Sequence, residues 1–398
     1  MVRSNIYIMV NSPGEIAGWA APVVRELRLH LKSCCITLVV PPCQYASGAE
    51  TEYGSQLEGV DSCVRFCSAL FSDIADPDAA RLVLHLGGDF AYSVLLSRRL
   101  RAPLYAYAAR PRWGACVEHF FVPDHSAERR FALSNFLPDR YSKVGHLALD
   151  SVVLKETEEE TRLRLGFAPQ QKVLAFLTGS RPLEYCEGMP FFVKIASLVT
   201  ESFPDHEVIF PMAPTVEEPR LREALDAKGV RWRGSSRIRE VDLGGGRWGR
   251  VLWGLGLESI NCCRLVVAVP GTNNLQVAAL YVPLLMVLPL DKAEEYPLDG
   301  IGGVLPLWLP GVKRLKRWII FRMNKRVPFV SLPNRMAGRM IAPELRGLLT
   351  AEDVAAKAKE MLASPQTLEE ISRSFWELTH ERGAAGRIAS AVIARLKR

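Results

Sequence analysis

The chain has 398 residues, of which 48% are apolar and 23% charged, and its formal net charge is +7. Such a length exceeds one ordinary domain, and such a composition excludes a disordered, fibrous or disulfide-scaffold protein, so two globular domains are expected. The diffuse positive charge suits anionic partners, whether phosphorylated metabolites, acidic lipid headgroups or nucleic acid, without choosing among them.

The N-terminal stretch MVRSNIYIMVNSPGE carries an apolar run too short for a signal peptide, and Ile6–Val10 reads as a first strand. The turn NSPGEIAGWAAPVVREL follows, with Gly14 and Gly18 permitting close backbone approach and Glu15 adding a carboxylate. It lacks the G-x-G-x-x-G pattern, so a plain strand-to-helix turn and a binding loop fit it equally. An amphipathic helix, Ala20–Leu31, leads to a strand at Ile36–Val40. Asp76-Pro77-Asp78 has the form of a metal motif but reads as a turn, ahead of a strand at Leu82–Leu86. Directly after that strand comes Gly87-Gly88-Asp89, where Asp89 is either a helix N-cap or a general base at the sheet edge. Strands at Leu104–Tyr107 and Phe120–Val122 follow, and the charged stretch Lys155–Arg164 puts an interdomain linker between residues 150 and 171.

The second half repeats the pattern. A strand at Val173–Leu177 ends in Thr178-Gly179-Ser180-Arg181, with Pro182 suited to a first helical turn and Arg181 offering a fork of donors for phosphate. A helical pattern at Phe191–Ser202 and a strand at Glu207–Phe210 precede LGGGRWGRVLWGLG, which reads as a mobile loop without a P-loop's Gly-Lys-Ser/Thr. After the strand Leu265–Val269, the turn PGTNNLQ opens a helix. The amides of Gly271, Thr272, Asn273 and Asn274 suit a diphosphate there, with Gln276 as a further neutral donor; ordinary N-capping by Thr272 is the alternative. A strand at Leu284–Leu288 leads to a basic stretch at residues 305–329, in which Leu315, Trp318, Ile319 and Met323 form an apolar stripe. Trp308, Trp318, Lys313, Lys316 and Arg317 would meet an anionic membrane; a core helix with a solvated basic face is the alternative. From Ala351 to Arg398 the tail is helical, broken by Pro365.

The nine cysteines include no Cys-x-x-Cys pair, so buried thiols in a reducing cytoplasm are expected. Strand–helix alternation argues for parallel sheets covered on both faces, with ligands outside the carboxyl ends of the strands. No segment is long and apolar enough to span a bilayer, so the protein reads as soluble or peripheral.

Taken together, these motifs resemble the lipid-A-disaccharide synthase family of glycosyltransferases. GEIAG (14–18) is similar to its Gly-Glu-x-Ser-Gly, GDF (88–90) to the aspartate of Pro-Asp-Phe-Asn, and VGHLALD (144–150) to Gly-His-Pro-Leu-x-Asp. LTGSRPLEY is similar to Leu-Pro-Gly-Ser-Arg-x-x-Glu-Ile, PGTNNLQ to Ser-Gly-Thr-Ala-Thr-Leu-Glu, and VPFVSLPNRMAGRMIAPEL (327–345) to Val-Ser-Leu-Pro-Asn-Leu-x-Ala and its sequel. Six matches in order span most of the chain.

The resemblance implies an α/β GT-B fold: two doubly wound, Rossmann-like domains facing a cleft. Residues 1–150 would bind the acceptor and residues 171–350 a UDP-sugar, with helices at 351–398 that could cross back to the first domain. It implies inverting, metal-independent hexosyl transfer by a peripheral enzyme at the inner face of the membrane, with a UDP-sugar as substrate and no further cofactor. In that family the substrates are UDP-2,3-diacylglucosamine and its 1-phosphate monosaccharide. Carried over by motif, Asp89 would be the general base with Glu15 as second candidate. Ser180, Arg181, Glu184, Gly271, Thr272, Asn273, Asn274 and Gln276 would hold the donor, and Gly14, Gly18 and Asn334 the acceptor or its loops.

Four departures stand at these sites: Trp19 for the family's aspartate, Gly87-Gly88 for Ala-Pro, Leu147 for proline and Gln276 for glutamate. A GT-B epimerase or hydrolase, or a sugar-nucleotide or lipid-binding protein without catalysis, are the alternatives. Nucleic acid is not expected, because the basic residues form no recognisable module.

Overall fold

In the computed structural model, residues 4–31, 33–43, 48–71, 79–134, 136–234, 238–291, 294 and 311–397 are described. They form two compact units, Met1–Val153 with His380–Arg398, and Leu154–Thr379. Asp76-Pro77-Asp78 and Trp308 lie outside the described residues.

The first unit is built on β1 (Ser4–Met9), β2 (Cys34–Val40), β3 (Ser62–Arg65), β4 (Ala80–His85), β5 (Leu104–Tyr107), β6 (His119–Val122) and β7 (Tyr141–Lys143). All pairings are parallel, in the order β3-β2-β1-β4-β5-β6-β7. Parallel strands are covered on both faces, so they must be apolar at successive positions rather than at alternate ones. β1 illustrates this: Ile6 and Ile8 join one core cluster, while Met9 joins another on the opposite face. The helix Ala21–His30 covers the first face with Val23, Val24 and Leu27; Phe90–Leu100 and His125–Leu133 supply Val94, Leu96, Ala127 and Phe131 to the second.

The first face is completed from the far end of the chain. Helix Ala384–Leu396 adds Ala385, Ile388, Ala389 and Val392 to the same cluster. Its N-terminal residue outside the helix is Gly383, which has no side chain to cap it. The cap comes instead from Asp150: one carboxylate oxygen accepts from the Gly383 amide and the other from the Ala385 amide, both at 2.7 Å. The stretch VGHLALD therefore docks this helix, aided by Arg387 Nε donating to the Val144 carbonyl at 2.8 Å.

The second unit contains β8 (Lys172–Leu177), β9 (His206–Met212), β10 (Trp232–Arg233), β11 (Ile238–Gly244), β12 (Arg247–Trp253), β13 (Leu265–Ala268), β14 (Leu284–Pro289) and β15 (Glu344–Gly347). Their order is β10-β11-β12-β9-β8-β13-β14-β15, parallel from β12 through β15 and antiparallel where β11 meets β10 and β12. The expectation of a mobile loop at LGGGRWGRVLWGLG is corrected: the segment is the β11–β12 hairpin. Gly244, Gly245 and Gly246 all take positive φ, which lets the chain reverse tightly between the strands.

Every strand expected from an apolar run is present, with ends shifted by at most about two residues. Of the strands not foreseen, Ser62–Arg65, Tyr141–Lys143 and Glu344–Gly347 are short and lie at sheet edges, whereas β11 and β12 are seven residues long and lie inside their sheet. The two units divide at Val153–Leu154, within the segment expected to hold the linker. Glu158–Leu165 is a helix of the second unit, closed at its start by the reciprocal Thr157–Glu160 capping box and at its end by Gly166 with φ of 68°.

Candidate functional site

Each sheet has one place where strand order reverses, and the loops leaving adjacent strand ends on either side of it form the natural ligand crevice. In the first unit this point lies between β1 and β4, and in the second between β8 and β13. Both pairs of loops are those singled out by their residues in the sequence.

In the first unit the loop after β1 carries Asn11, Gly14 and Glu15 and runs into a π-type turn, Ile16–Ala20, which holds the buried Gly18 and half-buried Trp19. Such turns are rare and cluster at functional sites. The loop after β4 carries Gly87, Gly88 and Asp89. The two interlock: Glu15 Oε2 accepts from the Asn11 amide at 2.7 Å, and a Cβ on Gly87 would stand 2.1 Å from that same oxygen. Gly88 has φ of 82°, closed to proline, so the Gly-Gly pair in place of Ala-Pro reflects a loop that wraps the Glu15 carboxylate. Glu15 is thus turned inward, onto backbone.

Asp89 is exposed. Its Oδ1 caps helix Phe90–Leu100 by accepting from the Ala91 amide at 2.9 Å, and Oδ2 has no partner among the described residues. The capping and basic roles weighed in the sequence are therefore compatible, one oxygen for each. Spacing did not flag Asn11, whose Oδ1 is buried without a hydrogen bond and whose Cβ would lie 3.2 Å from a Cβ on Gly88. Its one sequence signal is its position immediately beyond an apolar run. Further along the same edge, His146 Nε2 stands 3.4 Å from Asp124 Oδ2. Burial raises the Asp124 pKa, but the His146 contact and the Ala127 amide outweigh it and bring the value to about 2. Tyr107 is packed edge-on against Trp19 with centroids 5.8 Å apart, and its hydroxyl, its ionisation suppressed by burial, donates to the Gly145 carbonyl.

Behind the Asp89 loop lies His85, 4% exposed, with its ring centroid 3.9 Å from that of Phe90 and Nδ1 2.8 Å from Ser93 Oγ. Burial lowers its pKa from 6.5 to about 3. The folded protein keeps this ring neutral while the unfolded chain protonates it below its ordinary value. The associated stability is therefore intact at neutral pH and declines on acidification from about pH 6.5 toward 3, by about 1.4 kcal/mol per pH unit. Urea unfolding at pH 7 and pH 5 checks this: His85→Gln should lose about 2 kcal/mol less over that interval than the parent, and equal losses would contradict it.

In the second unit, Val269 N donates to the Leu177 carbonyl at 3.1 Å, so the loops after β13 and β8 start side by side. Each is partly closed by its own side chains. Asn274, fully buried, accepts from the Gly271 amide at 3.3 Å and donates to the Val269 carbonyl at 3.0 Å. The Thr272 side chain makes no cap, and the amides of Thr272 and Asn273 have no acceptor among the described residues. Gln276 is half-buried on the following helix.

Glu184 does not face outward as a ligand for the donor: its Oε2 accepts from the amides of Ser180 and Arg181 at 3.1 and 3.2 Å. Ser180, expected to hold the donor, therefore has its amide taken by Glu184. The Arg181 guanidinium remains one-third exposed.

Asn334 is also corrected. It is fully buried, its Oδ1 accepts from the Ile341 and Ala342 amides, and its Nδ2 donates to the Ala342 carbonyl and to Glu344 Oε1. All four of its hydrogen-bonding capacities are spent on the fold.

Helix Val312–Arg326 exposes Leu315, Trp318 and Met323, and Arg322 lies over the Trp318 ring at 5.6 Å. Lys313 and Arg317 are exposed, but Lys316 is 4% exposed and so is no surface contact. Among the described residues no helix is long and apolar enough to cross a membrane.

Two Rossmann-like units, each with its loops gathered at a reversal of strand order, define a protein of GT-B fold. The UDP-bound structure of MnaA from S. aureus aligns over 100% of this chain and 97% of its own, with a TM-score of 0.60 at 12% identity. Residues 129–232 match the family model described as lipid-A-disaccharide synthetase. The lipid-A-disaccharide synthase of Gloeothece citriformis is 26% identical over 324 residues, 78% of this chain and 74% of that one. That of Syntrophus aciditrophicus is 26% identical over 256 residues, 63% of this chain and 56% of its own. The chain is thus similar to lipid-A-disaccharide synthases over most of its length.

Proposed function

We propose that the protein transfers a sugar from a UDP-sugar, similar to UDP-diacylglucosamine, to a lipid-linked sugar acceptor, as in formation of the lipid A disaccharide. What supports this reading is that the loop after β8, with the Arg181 guanidinium, and the loop after β13, with the Thr272 and Asn273 amides, are neighbours at the reversal point of one sheet in a chain similar to lipid-A-disaccharide synthases. An exposed carboxylate, Asp89, stands at the corresponding point of the other sheet.

In this reaction the acceptor hydroxyl attacks the anomeric carbon of the donor with inversion. The new carbon–oxygen bond forms as the bond to the β-phosphate breaks, the proton passes to Asp89, and the electron pair leaves with UDP. The amides of Thr272 and Asn273 and the Arg181 guanidinium offset the charge of the departing diphosphate, a task we assign to them rather than to a metal. Gln276, neutral where the family has glutamate, tunes donor choice. The Leu315–Trp318–Met323 face, flanked by Lys313, Arg317 and Arg322, rests on the anionic surface that holds the acylated acceptor.

The test is a panel of UDP-sugars incubated with or without an acylated glucosamine 1-phosphate in anionic vesicles, read by mass spectrometry. Disaccharide and UDP should form only when both substrates are present. Free or epimerised sugar without the lipid would instead mark a hydrolase or epimerase, and UDP binding without any turnover a binding protein. Arg181→Ala should weaken UDP about tenfold or more in calorimetry, the scale of a charge-assisted hydrogen bond. An unaltered affinity would remove Arg181 from the donor site.

A further inference from the structure

We infer that Glu184 is a resident negative charge in the anion site of the second unit, opposing the diphosphate and so setting how tightly UDP is held. The inference rests on the donor site proposed above. Glu184 lies in the first turn of the 21-residue helix Pro182–Ser202, where unsatisfied amides and the helix dipole favour an anion. The chain fills that position with its own carboxylate. Oε2 accepts from the Ser180 and Arg181 amides, Oε1 lies 3.9 Å from Arg181 Nη1, and the side chain is packed over Gly179, where a Cβ would stand 2.7 Å from Glu184 Cβ. Gly179, with φ of 98°, is the residue type that both this turn and this contact require.

The consequence follows from charge and distance. The loops after β8 and β13 start side by side, on strands about 4.8 Å apart; a carboxylate held on the Ser180 and Arg181 amides of one and a diphosphate on the Thr272 and Asn273 amides of the other are therefore separated by roughly 5–10 Å. Glu184 is 28% and Arg181 34% exposed, so solvent screens the repulsion in part without removing it. A like charge at that range weakens diphosphate binding by about 3–10-fold. Arg181 must also leave Glu184 for the phosphate, which adds to the same effect. A carboxylate here thus trades affinity for release of the product.

Glu184→Gln separates the charge from the scaffold, because the amide oxygen can still accept from the Ser180 and Arg181 amides. UDP should bind about 3–10-fold more tightly to this variant, uridine should bind as to the parent, and the gain for UDP should shrink in about 0.5 M salt. Glu184→Ala, which also drops the two amide bonds, should lower Tm yet keep a raised preference for UDP over uridine. Unchanged or weaker UDP binding in both variants overturns the inference, as does an equal shift for uridine. Arg181→Ala in the same experiment distinguishes the two levels. If it weakens UDP while Glu184→Gln does nothing, the donor site stands and the role of Glu184 falls; if neither variant alters UDP binding, both fall.

Discussion

Asp89→Asn is expected to lower the proposed sugar transfer by about 10²–10⁴-fold while UDP affinity stays within about twofold, since the loss is of the proposed general base. The substitution is clean for a structural reason. Asparagine caps a helix about as well as aspartate, so the bond to the Ala91 amide and the helix Phe90–Leu100 should survive. Only the capacity of the second oxygen to take a proton is lost. Glu15, the other carboxylate of this edge, differs in kind: its Oε2 is held by the Asn11 amide and abuts Gly87. Asp89, exposed and capping with one oxygen, is the better placed of the two for the proposed role of base. Rate assays with UDP titrations on the purified variant check the point, and parental turnover in Asp89→Asn would remove this residue from the mechanism.

Asp150→Ala should destabilise the first unit by about 2–4 kcal/mol and undock its last helix. Asp150 is 8% exposed and binds two amides at the start of helix Ala384–Leu396. Alanine leaves both donors without this partner, the Ala385 amide in a buried position and that of the exposed Gly383 to water. Asp150→Asn, able to accept with one oxygen, should lose roughly half as much. Chemical denaturation gives the magnitude, and limited proteolysis gives the mechanism, because cleavage near residues 380–383 should accelerate only if the helix detaches. Resistance to protease with unaltered stability would show that apolar packing alone holds the helix.

The sequence made the sheets legible because parallel strands are buried on both faces. Runs such as Ile36–Val40 and Val173–Leu177 have no other ready explanation in a chain that alternates them with amphipathic helices. It also made the loops legible, since Gly179 and Gly271 follow directly on such runs. Short polar strands such as Tyr141–Lys143 left no signal, because a margin strand can be specified by its neighbour's hydrogen bonds rather than by its own side chains. The hairpin at Gly244–Gly246 was misread for a related reason. Glycine permits both a mobile loop and a tight reversal, and the pairing of β11 with β12 decides between them.

Side-chain roles were the least legible. Glu184 and Asn334 sit in motifs that the family resemblance assigned to ligands, and Lys316 in a basic stretch assigned to a membrane, yet the first caps a turn and the other two are buried. Local spacing fixes which residues share a helix face or follow a strand, because those relations are set by the backbone's own geometry. By itself, then, the sequence determined the alternating α/β character of both halves and the residues in their connecting loops. The tertiary structure alone decided the strand orders that start the loops after Leu177 and Val269 side by side and set Asn11 against Gly88. It also decided that Asp150 caps a helix 233 residues later. Strand order and long-range hydrogen bonds depend on which distant segments pack together, and nothing in local periodicity records that.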